Sequence, residues 1–415
     1  MRLRAVLSVL FALVAAVIAG STGSAAAAVD RTRVEAEFRR WLDTDIRPDA
    51  KRAGVSAKTL DQVLGAIRLD WSLPDLAPPA KTTTTQRQSE FRSPAAYFKQ
   101  SRLRSLVSAG RKQLAKWERT LDAIEKRYGV PRRILIAIWA RESDFGRTKL
   151  PHNAIGALAT QAFTGRRKRF FRRELLAALE IVDQGHISAE RMKSSWAGAL
   201  GHPQFLPSKF LAFAVDFDGD KRRDIWGSVP DALASIANYL KQHGWQSGRD
   251  WGFEANVPAN VACTLEGPDK ARKIADWVRH GVTRVRGRAF PQGEMGRKGS
   301  LLMPAGRLGP AYIATPNFYV LKAYNESDLY ALFIGHLADR FGADRAFVGK
   351  WAKTGGFNRR DVQRMQQRLE KNGYDVGGAD GLVGFRTRVA VGLWQVKAGL
   401  AATCFPDAGL IRAIR

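Results

Sequence analysis

After Gly20 the chain has no apolar run approaching the roughly 20 residues that a membrane-spanning helix requires. A multi-span membrane protein is therefore excluded. Cysteine is nearly absent, with only Cys263 and Cys404. Two cysteines permit one intrachain bridge, and sequence alone leaves that bridge and a pair of buried free thiols both open. No cysteine lies near the N-terminal apolar segment, so a lipid anchor has no attachment point there. Acidic residues are few beside basic ones, 39 against 67, and the formal net charge is +28. Such a charge either meets an anionic partner or surface or serves solubility alone. Nucleic acid is the usual partner of so basic a chain, but no DNA- or RNA-binding motif is present. Neither an internal repeat nor a low-complexity block follows the first segment.

That first segment is informative. Arg2 and Arg4 precede an apolar run from Ala5 to Gly20, and a small-residue stretch ends in Ala26-Ala27-Ala28. A charged start, a short apolar centre and an A-x-A end describe a secretory signal peptide. A retained membrane anchor is the alternative, for which the run is short. The expectation is cleavage after Ala28 and a soluble protein, periplasmic or secreted and not membrane-anchored. Export also argues against a nucleic-acid partner.

The rest reads as mostly α. Helical spacing predicts helices over Arg31–Trp41, Arg111–Arg127, Arg132–Arg141, Arg173–Gln184, Val229–Gln242 and Ser327–Phe341. Pro78-Pro79 and Thr82–Thr85 read as a loop within this large domain. Between Asn256 and Tyr319 the pattern weakens, and a few short strands are expected there. A boundary falls near Thr354-Gly355-Gly356. Beyond it, Val362, Met365 and Leu369 recur at helical spacing, Asn372-Gly373 ends that helix, and a second helix carries Ala390, Leu393 and Trp394 on one face. Phe357–Arg415 thus forms a small three-helix unit, large enough at about 60 residues for a marginal core of its own.

The chemistry gathers after Pro131, which suits the first turn of a helix. Ile134-Leu135-Ile136-Ala137-Ile138-Trp139-Ala140 is unbroken apolar sequence, so the helix is buried on most sides. Glu142 stands at its far end, on the face of Ile138 and Trp139. Apolar surroundings disfavour an ionised carboxyl and raise its pKa, which keeps a carboxylic acid protonated for donation to a leaving oxygen. Spacing alone also allows a structural glutamate at an exposed helix end, paired with Arg141.

Four ordered segments add a family resemblance. Ile138-Trp139-Ala140-Arg141-Glu142-Ser143-Asp144-Phe145-Gly146 is similar to the catalytic segment of lytic transglycosylases, and of the lytic murein transglycosylase B family (glycoside hydrolase family 103) in particular. Ser195-Trp196-Ala197-Gly198-Ala199-Leu200-Gly201-His202-Pro203-Gln204-Phe205-Leu206-Pro207-Ser208 follows. Next come Asp216-Phe217-Asp218-Gly219-Asp220, leading to Ile236-Ala237-Asn238-Tyr239-Leu240 and His243-Gly244-Trp245, and then Pro316-Asn317-Phe318-Tyr319 with Tyr324-Asn325. The resemblance runs from about Arg31 to Phe347. It implies a lysozyme-like catalytic domain over 29–350, after the signal peptide 1–28 and before a linker, 351–356. It implies that Glu142 is the catalytic acid/base, that Ser195 and Gln204 line the cleft, and that Tyr324 and Asn325 face the sugar. Arg166 and Arg167 would meet peptide-stem or muramic carboxylates, although a run such as Arg166–Arg169 also reads as a solvated basic face. Phe170 stands where the family often has tyrosine.

The Asp216 loop carries a second signal. Asp216, Asp218, Asp220 and Asp224 fall at EF-hand-like offsets, with the Arg222 carbonyl between them. Lys221 replaces the expected glycine and Gly227 the final glutamate. The resemblance offers Asp231 as the missing carboxylate. A structural calcium ion and an Asp-rich turn are both open; no cofactor is required by the chemistry.

The C-terminal unit, 357–415, resembles the peptidoglycan-binding type 1 domain at Leu369, Gly373-Tyr374, Asp380-Gly381, Gly384, Thr387, Ala390 and Gln395. It implies a wall anchor; a helical appendage is the plainer reading. The function implied is cleavage of the β-1,4 bond between N-acetylmuramic acid and N-acetylglucosamine in peptidoglycan strands, leaving 1,6-anhydromuramoyl ends. Two alternatives stand beside it. A hydrolytic muramidase would need a second carboxylate, and Asp144, two positions from Glu142, does not share its helix face. A non-catalytic wall-binding scaffold would not need Glu142, Ser195 and Gln204 together.

Overall fold

In the computed structural model, residues 30–73 and 93–414 are described. The expected signal peptide and the Pro78–Thr85 loop lie outside them. Helix Arg31–Trp41 starts where the Asp30 carboxylate accepts the Arg33 amide at 3.2 Å. The catalytic-segment helix runs Arg132–Ser143, with every residue from Ile134 to Ala140 buried. Helix Val229–Gln242 has the expected bounds, and Asp328–Gly342 follows the N-cap Ser327.

Two helices differ from their sequence reading. Arg111–Arg127 is not continuous: Gln100–Lys116 and Glu118–Tyr128 meet at Trp117, whose φ −107 and ψ 20 are non-helical. The Arg173 helix begins earlier, at Lys168. Phe171, Leu175 and Ala178 continue its buried stripe back through the basic run.

These helices share one large apolar core. The weak region between Asn256 and Tyr319 holds expected short strands, and Gly252–Asn256 just before it joins them. They form an antiparallel five-stranded sheet in the order Arg272–Lys273, Lys298–Leu302, Ala311–Ala314, Gly252–Asn256, Thr283–Arg284. This sheet encloses a second core around Phe253, Trp277 and Ile313.

The C-terminal unit is three-helical, Arg359–Lys371, Phe385–Lys397 and Ala408–Ala413, with its own core of Val362, Met365, Leu369 and Val391. An Asn358–Asp361 capping box opens it. One expected face is corrected. Ala390 is buried, but Leu393 is 46% exposed, and the buried positions of that helix include Thr387, Arg388 and Gln395. The helix turns a polar stripe inward because its neighbours there are polar or charged: Thr387 meets Gln366, Gln395 meets Thr403, and Arg388 meets two carboxylates. Arg388 makes a bidentate pair with Glu266 (Nε–Oε2 2.9 Å, Nη2–Oε1 2.7 Å) and reaches Asp328 Oδ2 at 2.8 Å. Lys322 meets the other Asp328 oxygen at 2.8 Å. Burial pushes the Glu266 carboxyl up; the Asp328 carboxyl also feels burial, but Arg388 and Lys322 outweigh it and hold it down. Beside this network Cys263 and Cys404 form a disulfide, Cα–Cα 6.1 Å, joining the sheet region to the C-terminal unit.

Candidate active site

Glu142 lies in the last turn of helix Arg132–Ser143, half-buried. Three successive residues then turn left-handed, Asp144 (φ 50), Phe145 (φ 60) and Gly146 (φ 78). Gly146 is required sterically as well. A Cβ there would lie 2.4 Å from His202 Nε2, and His202 is stacked on Trp139. The turn sends the Asp144 carboxylate to Arg147, Oδ1–Nη2 2.9 Å. Arg141 donates to the Tyr97 hydroxyl at 2.9 Å, over the Tyr97 and Phe333 rings.

The Tyr330 hydroxyl donates to Glu142 Oε1 at 2.5 Å. Tyr330 is buried and stacked on Tyr324 at 6.2 Å, with an interplanar angle of 11°. The Tyr324 hydroxyl donates to the Pro203 carbonyl at 2.7 Å. Tyr239 packs edge-on to Tyr324 at 5.0 Å and donates to the Ala323 carbonyl at 2.7 Å. Burial, then the Glu142 charge, pushes the Tyr324 and Tyr330 phenols up. Burial pushes Tyr239 up to about 12. All three stay neutral donors near pH 7.

Pro203 belongs to the loop that carries two more expected residues, so the Tyr324 bond brings that loop toward Glu142. Ser195 lies at a turn, its Oγ accepting the Ala199 amide at 3.2 Å. Gln204 sits at φ 53 and donates from Nε2 to the Gly201 carbonyl at 2.8 Å. Both are half-buried. Asn325 is exposed and lines a groove of about 510 Å³ between the larger body and the C-terminal unit, along with Glu326, Phe357 and Arg359. Arg166, Arg167 and Phe170 line a separate surface depression that Glu142 does not line. There the Arg167 guanidinium lies 4.0 Å from the Phe170 ring centroid.

Sequence reading assigns no site role to Tyr330 or Tyr239. Tyr330 lies in the first turn of an expected helix but meets Glu142 across 188 positions of chain, so no local pattern signals it.

In the Asp216 loop, the carboxylates of Asp216, Asp218, Asp220 and Asp231 offer oxygens that all lie within 4.8 Å of one another. Asp231 is buried at the start of helix Val229–Gln242 and accepts the Phe217 and Asp224 amides at 2.7 and 2.8 Å. Lys221 adopts φ 70, the conformation glycine would take at that offset. Asp224 departs from the expected ligand set, its Oδ1 accepting the Trp226 and Gly227 amides. The Arg222 amide donates to Asp220 Oδ1 at 2.8 Å. Converging hard oxygens fit calcium.

Comparison with known proteins places the chain among relatives. Residues 37–339 match the Transglycosylase SLT domain, and residues 358–414 match the peptidoglycan binding domain. The membrane-bound lytic murein transglycosylase B of Escherichia coli (strain K12) is 34% identical over 229 residues, which make up 53% of this chain and 60% of that protein. The chain therefore spans less than two thirds of that relative's length. SltB3 from Pseudomonas aeruginosa, solved in complex with NAG-NAM-pentapeptide, is 38% identical at TM-score 0.81, covering 91% of this chain and 99% of its own. The Escherichia coli lytic transglycosylase Slt35, solved in complex with calcium, is 26% identical at TM-score 0.58, covering 75% and 93%.

The described residues form a mostly helical body that presents a glutamate, bonded to a tyrosine hydroxyl, at the end of a buried helix. The chain belongs to the Transglycosylase SLT domain family, with a peptidoglycan binding domain behind it. Among the described residues no helix is long and apolar enough to cross a membrane.

Proposed function

We propose that this chain is a lytic transglycosylase that cleaves the N-acetylmuramic acid–N-acetylglucosamine β-1,4 bond of peptidoglycan and leaves 1,6-anhydromuramoyl ends. The observation that carries the reading is Glu142 under the Tyr330 hydroxyl while its nearest acidic neighbour in sequence, Asp144, is turned onto Arg147. One carboxyl group then serves both halves of the reaction. Protonated Glu142 gives its proton to the glycosidic oxygen as the bond from C1 breaks. The N-acetyl carbonyl of the same sugar stabilises the cationic C1. The Glu142 carboxylate next takes the proton of the muramic C6 hydroxyl as O6 bonds to C1, and the enzyme returns to its starting state. The hydroxyl is already attached to the reacting sugar, so its effective concentration greatly exceeds that of an external reactant. SltB3 has also been solved with NAG-anhNAM-pentapeptide, which supports the anhydro product.

In this reading Ser195, Gln204 and Asn325 meet sugar hydroxyl and N-acetyl groups. Tyr324, its hydroxyl committed to Pro203, contributes its ring. Arg166, Arg167 and Phe170 form an outlying contact for stem-peptide carboxylates. Asp216, Asp218, Asp220 and Asp231, with the Arg222 carbonyl, hold a structural calcium ion. The chain divides into a signal peptide over 1–28, a catalytic domain over 29–350, a linker over 351–356 and a wall-binding unit over 357–415, and works in the periplasm or outside the cell. Digestion of purified peptidoglycan in heavy-oxygen water tests the chemistry. Unlabelled anhydro ends, lighter by one water than hydrolytic ends, are expected. Labelled reducing ends as the main product would overturn the reading in favour of a muramidase.

A further inference from the structure

Short helix Pro207–Phe213 follows the Ser195–Gln204 loop and carries Lys209, which is half-buried. Its ammonium lies 4.9 Å from the Tyr239 ring centroid and 5.7 Å from that of Tyr324, and it donates to the Tyr239 hydroxyl at 3.4 Å. Those rings form the stack that ends in Tyr330, the donor to Glu142. A partly desolvated cation is attracted to aromatic faces, which holds a lysine that would otherwise extend into water. Its position also places it within electrostatic reach of Glu142.

We propose that Lys209 is a positioning residue, which steadies the Tyr239–Tyr324–Tyr330 stack and supplies a positive charge that favours the Glu142 carboxylate once its proton has left. The proposal rests on Glu142 being the acid/base.

The charges around the pair are few. Glu142 acts on Lys209 from helix Arg132–Ser143, Glu326 from the end of helix Pro316–Asn325 and Glu174 from helix Lys168–Asp183. Around Glu142 stand Arg141 on its own helix, Tyr330 and Tyr324. Arg141 donates to the Tyr97 hydroxyl and also acts on Glu142 and Tyr330 from the helix side, whereas Lys209 sits on the tyrosine rings. Glu174 is engaged by Ser208, its Oε1 accepting the hydroxyl at 2.8 Å and its Oε2 the amide at 2.9 Å.

The test is the pH profile of kcat/KM for cleavage of soluble, uncrosslinked glycan strands, with wild type, Lys209→Met, Lys209→Gln and Lys209→Arg compared. The alkaline limb reports loss of the Glu142 proton in the free enzyme. Removing a nearby cation makes that proton harder to lose, so the limb should move up by about half a pH unit or more in the Met and Gln variants. The Arg variant should keep it near the wild-type position. An unmoved limb in both neutral variants would overturn the proposal; with a raised KM, it would make Lys209 a contact for substrate carboxylates. Circular dichroism identifies a variant that fails to fold, and the second neutral variant then decides. A fully active Glu142→Gln would remove the acid/base reading and this proposal together, whereas an inactive Glu142→Gln with an unmoved Lys209 limb removes this proposal alone.

Discussion

Helix Arg132–Ser143 and helix Phe385–Lys397 are both packed against the body of the protein, yet by opposite chemistry. The first buries an unbroken apolar run and keeps its functional carboxyl for its last turn. The second buries Arg388 at 1% exposure, with Thr387 and Gln395, and closes its seam with an ion network and a disulfide. Apolar packing is forgiving of chemistry at its edge, so a reactive group can be changed there without loosening the helix. A buried charge network has no such tolerance, because removing one member strands the others in a low-dielectric interior. On the proposed function, the contrast separates a helix that carries a reactive carboxyl from one that fastens a domain.

The sharpest way to break this contrast is at Glu142. Glu142→Gln should lower glycan-strand cleavage by about 10²–10⁴-fold, the usual share of acid/base catalysis. The melting curve should barely move. A large loss of stability instead would make Glu142 part of the packing and blur the distinction.

Arg388→Met should do the reverse. Glu266 and Asp328 would lose their shared partner, and denaturant unfolding should show a loss of about 3–5 kcal/mol. Cutting the adjacent disulfide with Cys404→Ser should cost about 2–4 kcal/mol. If Arg388→Met costs less than the disulfide, the covalent link holds the seam and the ion network is secondary.

The Asp216 loop offers an intermediate case, a polar cluster expected to be stable only when filled. Chelation should lower the melting temperature and calcium should restore it, by about 2.7 kcal/mol at a hundredfold excess over Kd. Magnesium should restore it poorly, since it demands a tighter octahedron. Identical melting curves for metal-stripped protein with and without calcium would count against the site.

The smallest effect concerns a polar group inside the apolar body. His336 is buried, stacked on Phe347 at 3.7 Å, and Nε2 has no hydrogen-bond partner among the described residues. Burial, aided by Arg340, lowers its pKa to about 3. A depressed basic pKa gives stability that is complete above the unfolded value of about 6.5 and is lost as pH falls toward the folded value. Between pH 7.5 and 5.5 this should cost about 1 kcal/mol. His336→Gln should flatten that slope, whatever its effect on the absolute melting temperature; an unchanged slope would place the acid sensitivity elsewhere.

These cases also show what a linear reading reaches. Ile134–Ala140 and the Val362, Met365 and Leu369 spacing announced their burial, because local periodicity is enough to define an apolar face. Glu142 was only partly legible that way: its place at the end of that apolar run also allowed a structural glutamate, and the resemblance of the surrounding segment to lytic transglycosylases singled it out. Tyr330 and Lys209 did not stand out, since each meets Glu142 or its tyrosine stack through helices distant in the chain. Leu393 was misplaced because periodicity predicts an apolar inner face, whereas the surface it packs against presents Glu266. The Cys263–Cys404 pair stayed open because nothing local brings two residues 141 positions apart together. Lys168 joined its helix early because a basic run can carry a buried stripe of Phe171 and Leu175 beneath it.

The Arg388 network bears on how such a protein can be rebuilt. A wall-binding unit is commonly pictured as a cassette, portable between hosts so long as its own core survives. Here the unit ends in one half of a lock. Its arginine and its cysteine fit carboxylates and a thiol that the larger body presents. A foreign unit grafted after residue 356 would leave Glu266 and Asp328 without Arg388 and Cys263 without its mate. An exchange of units therefore has to redesign both sides of the seam together.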